Sequence, residues 1–293
     1  NSATDYLNLE HLLVARDNMN QTAADLLALR LALNLGISGD LTQSDFDLTN
    51  VQFAGMSLGG ITGIDFVTTA NANGLTVKQA AFISPGGAIA PFLIESQQFG
   101  GLVQASILAG AGSDLSTEFL TFAAGGDATC ASLAADQEAY LSCMYQVFVG
   151  QQQAEQDTAA LTEINTLVSS FALAAQTVLD SADPNNFAAT LGAQDTPIYM
   201  SAIVGDGINN VPDQVIPNQT TSVPVGGTEP LARYIGISAI DGDTVGATSG
   251  LVRFTEGGHS SLLNPAASQA TTTEMQTQLA TFHAAGMISI GNT

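Results

Sequence analysis

Positive charge is nearly absent from this chain. Five lysine and arginine residues stand against 27 aspartate and glutamate residues, so the net charge at pH 7 is −22. Nucleic acids and anionic membranes are bound through clustered cations, so this composition argues against both partners. A strongly acidic surface keeps a protein soluble through repulsion, and we expect a salty extracellular setting in which salt screens that repulsion.

Three further features are missing. No run approaches the roughly eighteen apolar residues of a membrane-spanning helix, so we expect no span. The three histidines show no His-Glu-x-x-His spacing, and the two cysteines make no paired-ligand pattern. There is also no glycine-rich phosphate loop with a lysine. We therefore expect no metal and no other cofactor, and the sequence does not indicate an oligomeric state.

Cysteine is scarce, with Cys130 and Cys143 the only two. In an exported protein they would form a disulfide that closes a loop of about fourteen residues, worth roughly 3 kcal/mol in the chain-entropy model. The alternative is two unpaired buried thiols. The chain begins at Asn1 with no signal segment after it. We expect either that a leader has been removed or that the chain is a fragment.

Apolar sequence is plentiful at 45% of the 293 residues, which is enough for one large α/β domain or a domain with a cap. Short apolar runs predict strands at 51–56, 79–84, 197–204 and 251–254. Helical spacing predicts helices from Asp17 or Asn18 to Leu35, and at 61–69, 228–237 and 265–285. Strands that alternate with helices predict a parallel sheet with right-handed crossovers.

Between these strands the pattern becomes purely helical. Alanine, leucine and glutamine dominate, and helical stretches recur at 91–109, 115–125, 132–149 and 153–179. We interpret 88–194 as a helical cap inserted over the active-site end of the sheet, between core segments 1–87 and 195–293. The alternative is an ordinary helical subdomain that has no role as a lid.

One stretch carries a catalytic motif. Residues 55–59 read Gly-x-Ser-x-Gly between a predicted strand and a predicted helix, which is typical of a nucleophile elbow with Ser57 as nucleophile. Gly55 and Gly59 would have a steric reason, because the strand and helix approach closely there. The amide of Leu58 would face a developing oxyanion. The alternative is a glycine-rich turn whose serine has no chemical role.

A serine nucleophile needs a base, and the base needs an acid. His259 follows the last predicted strand in a glycine-flanked loop, whereas His11 and His283 belong to helical surroundings. For the acid, Asp213 precedes an apolar stretch that could anchor its carboxylate. Asp206 is the alternative acid, in a Gly-Asp-Gly turn. Asp241 and Asp243 are more distant candidates that read as turn residues.

The chain resembles the α/β-hydrolase lipases, and more narrowly the extracellular bacterial virulence-factor lipases and lysophospholipases. The segments that carry the resemblance are spread over most of the chain: Ala15-Arg16-Asp17-Asn18, Gly55-Met56-Ser57-Leu58-Gly59-Gly60, Asp180-Ser181-Ala182-Asp183-Pro184, Val204-Gly205-Asp206-Gly207, Asp213-Gln214-Val215-Ile216-Pro217 and Gly258-His259. Membership implies secretion or surface display, hydrolysis of carboxylic esters of lipids, and a triad of Ser57, Asp213 and His259.

Two departures from the family pattern matter. Met56 stands where lipases often have histidine, but this position only flanks the nucleophile. No strand–helix–strand segment precedes residue 51, so we expect an α/β-hydrolase sheet that lacks its N-terminal part, with an unpaired edge at strand 51–56. The second oxyanion amide would then be missing, and the chain alone would be poorly active.

The sequence therefore predicts a serine hydrolase that cleaves carboxylic esters of lipids through an acyl-enzyme. One alternative is a non-catalytic surface or interaction domain on a hydrolase scaffold. The other is an acyltransferase, because an alcohol can intercept the same acyl-enzyme. Acyl-chain length and head-group preference do not follow from these residues.

Overall fold

A computed structural model describes residues 6–8, 11–36, 42–240 and 244–290 of the chain. The helices are α1 Leu12–Leu35, α2 Leu58–Ala72, α3 Ile89–Glu95, α4 Gly100–Gly110, α5 Asp114–Gly125, α6 Gln137–Ala154, α7 Thr158–Leu179, α8 Asn185–Gly192, α9 Thr228–Ile235 and α10 Gln269–Ala285. The strands are β1 Gln52–Met56, β2 Gln79–Ile83, β3 Ile198–Ile203, β4 Ala239–Ile240, β5 Thr244–Ala247, β6 Gly250–Phe254 and β7 Ile288–Ile290.

The chain divides into two compact units. The first comprises Asn1–Ile89 and Val178–Thr293, and the second comprises Ala90–Thr177. The sequence interpretation placed the insertion at 88–194, so its end differs from the observed division. The difference is α8, whose Ala188 and Leu191 are fully buried in the core beside the sheet.

The first unit contains a five-stranded sheet of order β1-β2-β3-β6-β4, in which every neighbouring pair is parallel. The predicted α/β class and parallel sheet are confirmed. The sequence missed β4, β5 and β7, and β5 pairs antiparallel with β7 in a separate two-stranded sheet. In the described part of the chain β1 pairs only with β2, which leaves its other edge unpaired.

Alternating side chains of the central strands build a core on each face of the sheet. Phe82 and Met200 belong to a cluster with residues of α2, α8 and α9, whereas Ile83 and Tyr199 belong to a cluster with residues of α10. This is the two-residue period of a strand buried on both faces. Helices therefore cover both faces, and the carboxyl ends of the strands lie together at one edge.

Helix boundaries differ from prediction at their starts more than at their ends. α1 begins at Leu12, not at Asp17 or Asn18, and Asp17 lies within the helix, where its Oδ1 accepts from Arg16 Nε at 2.7 Å. α10 begins after Ser268, whose hydroxyl accepts from Thr271 N, and not at residue 265. Both helices end at the predicted position, before a glycine with positive φ.

The second unit is helical throughout, as predicted, and residues 90–177 form no strand. Its core contains an aromatic group in which the ring of Phe119 contacts the rings of Tyr145 and Phe148. The predicted pairing of Cys130 with Cys143 is confirmed by an S–S distance of 2.04 Å. The predicted role of these helices as a cap stays a prediction.

Candidate active site

Ser57 stands between β1 and α2, where the chain turns sharply. Its φ of 54° and ψ of −124° lie in a region that residues other than glycine rarely adopt, at a cost of about 1–3 kcal/mol. The turn is held from both sides. Ser57 N donates to Ile83 O at 2.8 Å, and Gly60 N donates to Ser57 O at 2.8 Å. The serine is therefore fixed at the carboxyl end of β1 and at the start of a helix.

Close approach of strand and helix explains Gly55 and Gly60 of this turn, whereas the motif suggests Gly55 and Gly59. A Cβ on Gly55 would lie 2.3 Å from Gly59 O, and because that oxygen belongs to the backbone it cannot move aside to relieve the clash. A Cβ on Gly60 would lie 3.1 Å from Gly55 O and 3.2 Å from Pro85 Cβ. At Gly59 a Cβ would meet nothing within 4 Å, so the predicted steric reason for Gly59 is wrong and belongs to Gly60.

Asp213 follows β3 and is 5% exposed. Its amide donates to Ile203 O at 3.0 Å, which ties the residue to the end of the strand. Its Oδ1 accepts from the amides of Val215 at 2.8 Å and Ile216 at 3.1 Å. With one carboxylate oxygen held by the backbone, the other, Oδ2, is directed to the imidazole of His259 at 2.6 Å from Nδ1.

His259 lies in the loop after β6. Gly257 has φ of 109°, and Gly258 N donates to Ser261 Oγ at 2.8 Å, so the loop is closed by a buried serine. The imidazole has Asp213 on Nδ1 and Ser57 Oγ at 2.7 Å from Nε2. Since a carboxylate oxygen accepts, Nδ1–H is the donor, and Nε2 is free to accept the proton of the serine hydroxyl.

The structure thus brings Ser57, His259 and Asp213 into one hydrogen-bonded chain. Leu58 opens α2, so its amide belongs to the first turn, where amides have no intrahelical acceptor and the helix dipole favours negative charge. That placement suits an oxyanion donor, and the role of Leu58 stays a prediction. The second donor also stays unassigned.

Asp206, the alternative acid, makes its contacts within its own turn. Its Oδ1 accepts from the amides of Ile208, Asn209 and Asn210, each at 2.8 Å, and its Oδ2 accepts from Asn210 Nδ2. These donors stabilise the charged form and lower the pKa of Asp206 to about 2. Its carboxylate is occupied by the loop, so Asp213 and not Asp206 is the acid that reaches His259.

The remaining candidates lie elsewhere. His11 precedes α1, and His283 lies on α10, where burial lowers the pKa of its imidazole. Asp241 and Asp243 lie outside the described residues. Within the described ranges no group of histidine, cysteine and carboxylate side chains is arranged to hold a metal ion. No helix in this part of the chain has the length and apolar composition that a membrane crossing requires.

Sequence reasoning expected the apolar stretch after Asp213 to anchor its carboxylate, but it did not identify the groups that hold Asp213 and His259. These are the Val215 and Ile216 amides, the Ser261 hydroxyl, and Asn218, whose Nδ2 donates to Ile203 O at 2.7 Å. In a common turn pattern the side chain of an aspartate accepts from the backbone amides two and three residues later. That pattern could have indicated the Val215 and Ile216 amides. No comparable local pattern indicates Asn218 or Ser261.

No protein-family model, no curated protein and no solved structure matches this chain. A chemical role for the site therefore rests on its own geometry.

Proposed function

We propose that this chain is a serine hydrolase of the α/β-hydrolase class that cleaves carboxylic esters of lipids through an acyl-enzyme. The observation that carries the proposal is the chain of contacts from Asp213 Oδ2 through His259 to Ser57 Oγ, at 2.6 and 2.7 Å. Further support comes from the order serine, acid, histidine, with each residue after a different parallel strand, which is the order of that class.

The geometry of Ser57, His259 and Asp213 supports the proton transfers of an acyl-transfer cycle. His259 Nε2 takes the proton as Ser57 Oγ attacks the ester carbonyl, and Asp213 stabilises the imidazolium that forms. Collapse of the tetrahedral intermediate expels the alcohol, which leaves with the proton from Nε2. A water molecule then attacks the acyl-enzyme and gives its proton to the same nitrogen. The bond between the acyl carbon and Ser57 Oγ breaks, Oγ takes the proton back from Nε2, and the acid is released.

The preference for lipid esters is supported by the resemblance and by the loops that carry Asp213 and His259. Ile208, in the loop that carries Asp213, is 86% exposed, and Leu263, in the loop that carries His259, is 70% exposed. Exposed apolar side chains on such loops suit an apolar acyl group. The disulfide supports secretion or surface display, because such bonds persist in oxidising compartments.

A fluorophosphonate probe and p-nitrophenyl esters of increasing acyl length test the proposal. The intact parent protein should be labelled and should hydrolyse the esters, and Ser57→Ala should abolish both. Ser106→Ala is the matched control, because Ser106 lies exposed on α4 with its hydroxyl bonded to Leu102 O. Full activity in Ser57→Ala would overturn the mechanism, and a wild-type protein inert toward every ester would favour the non-catalytic interaction domain.

A further inference from the structure

The loop that carries Asp213 is closed at a single carbonyl group. Ile203 O, at the end of β3, accepts from Asp213 N at 3.0 Å and from Asn218 Nδ2 at 2.7 Å. The first bond fixes the backbone of the acid. The second fixes the point at which the loop returns, five residues later. Both lone pairs of one strand-end carbonyl are therefore used to hold this loop.

Asn218 is itself anchored from the opposite side. Its carbonyl oxygen accepts from Glu229 N at 2.9 Å, in the first turn of α9. Gly227 lies so close that a Cβ there would be 2.4 Å from Pro217 O and 2.8 Å from Asn218 O. Asn218 thus connects the start of α9 with the end of β3, across the segment that holds the acid.

The oxygen end of the Asn218 carboxamide makes no comparable hydrogen bond. Its Oδ1 is buried and has no hydrogen-bond partner in the described part of the chain. The orientation is fixed, because the end that faces the carbonyl of Ile203 must be the NH2 group.

We propose that Asn218 is a positioning residue that holds Asp213 in line with His259 through the shared carbonyl of Ile203. The inference rests on the proposed function, because positioning has a consequence only if the triad is catalytic. Without the Nδ2 donor, the returning segment detaches from β3 and the Asp213 carboxylate loses its alignment with Nδ1. Small misplacements of this kind reduce the rate of the chemical step, by up to about 100-fold for 1 Å.

The test compares Asn218→Leu and Asn218→Ala with Asn210→Leu. Asn210 has the same side chain in the same loop, but its amide binds the Asp206 carboxylate at 2.8 Å. On a short, water-soluble p-nitrophenyl ester we expect kcat to fall about 10- to 100-fold in both Asn218 variants, with KM unchanged. Asn210→Leu should keep the wild-type kcat. Circular dichroism verifies that each variant is folded.

A second measurement reports on alignment without any turnover. The proton in the short bond between His259 Nδ1 and Asp213 should give a low-field imidazole resonance in the wild-type NMR spectrum. It should weaken or broaden in folded Asn218 variants and persist in Asn210→Leu. An unchanged resonance and unchanged kcat would overturn the inference, as would Asn218 variants that do not fold at all. Failure of the proposed function is distinguishable, because either the wild-type protein would then be inert toward every ester or Ser57→Ala would retain full ester hydrolysis.

Discussion

Two aspartates of the same loop allow the chemistry of the site to be tested one residue at a time. Asp213→Asn keeps the size of the side chain but places an amide where Nδ1–H of His259 finds an acceptor. The imidazole then favours the tautomer with its proton on Nε2, which cannot accept from Ser57. We expect kcat for ester hydrolysis to fall by about 10⁴-fold with the fold retained, as measured by steady-state kinetics and circular dichroism.

Asp206→Asn is the control for that substitution. Its Oδ1 accepts from three backbone amides of its own turn, and an asparagine oxygen can accept the same bonds, so only the bond from Asn210 Nδ2 to Oδ2 is lost. We therefore expect kcat to stay within about twofold of wild type, since surface changes away from special features have small effects. A larger loss in Asp206→Asn than in Asp213→Asn would identify Asp206 as the acid and would contradict the assignment.

At the scale of single residues the sequence predicted the three side chains of the hydrogen-bonded chain but not most of the groups that hold them. Ser57 and His259 follow from their positions after predicted strands, with glycines nearby. Choosing Asp213 over Asp206 depended on the apolar residues that follow it, and the contacts agree with that choice. Asn218 and Ser261 could not be predicted, because their partners are a strand-end carbonyl and a loop amide that only the folded chain brings near.

The turn that joins β1 to α2 leaves no space for a side chain at Gly55. Gly55→Ala would place a methyl group 2.3 Å from Gly59 O, so strand and helix must separate. We expect a loss of about 1–3 kcal/mol in the free energy of unfolding, the usual cost of overpacking, together with misplacement of Ser57. Urea unfolding measures the first effect, and fluorophosphonate labelling measures the second.

Gly59→Ala provides the matched comparison within the same turn. Its new methyl group would meet nothing within 4 Å, and alanine favours helix more than glycine does. The free energy of unfolding should therefore stay equal or rise slightly. Equal destabilisation by both substitutions would show that the glycines serve the turn through backbone freedom and not through close approach.

Elements with long apolar patterns were predictable, and short ones were not. The four longest strands of the sheet and most helices were predicted, because each has an apolar run or an apolar spacing long enough to recognise. β4 has two residues and β7 has three, so neither is long enough for a two-residue period. Helix starts were misplaced where one polar residue among several could act as the cap, as at Ser268.

Charge acts on the molecule as a whole. The described residues contain ion pairs of arginine at Arg16–Asp17 and Arg253–Glu229, the second bidentate at 2.6 and 2.7 Å. These few pairs leave most of the 27 acidic residues to repel one another, at a net charge of −22. Compaction brings these charges closer than they are in the unfolded chain, so repulsion destabilises the folded state.

Added salt should therefore stabilise this protein. Raising NaCl from about 0.01 M to about 1 M shortens the Debye length from about 30 Å to about 3 Å, which suppresses repulsion between distant carboxylates. The exposed Arg16–Asp17 pair is weakened too, but such pairs contribute about 0–1 kcal/mol. We expect the first unfolding transition, followed by circular dichroism during heating, to move to higher temperature with NaCl.

Arg253→Gln is the control variant. Its transition temperature should be lower than that of the wild type at low salt and should rise with NaCl in the same way. A fall in the transition temperature with NaCl would show that the ion pairs outweigh the net repulsion.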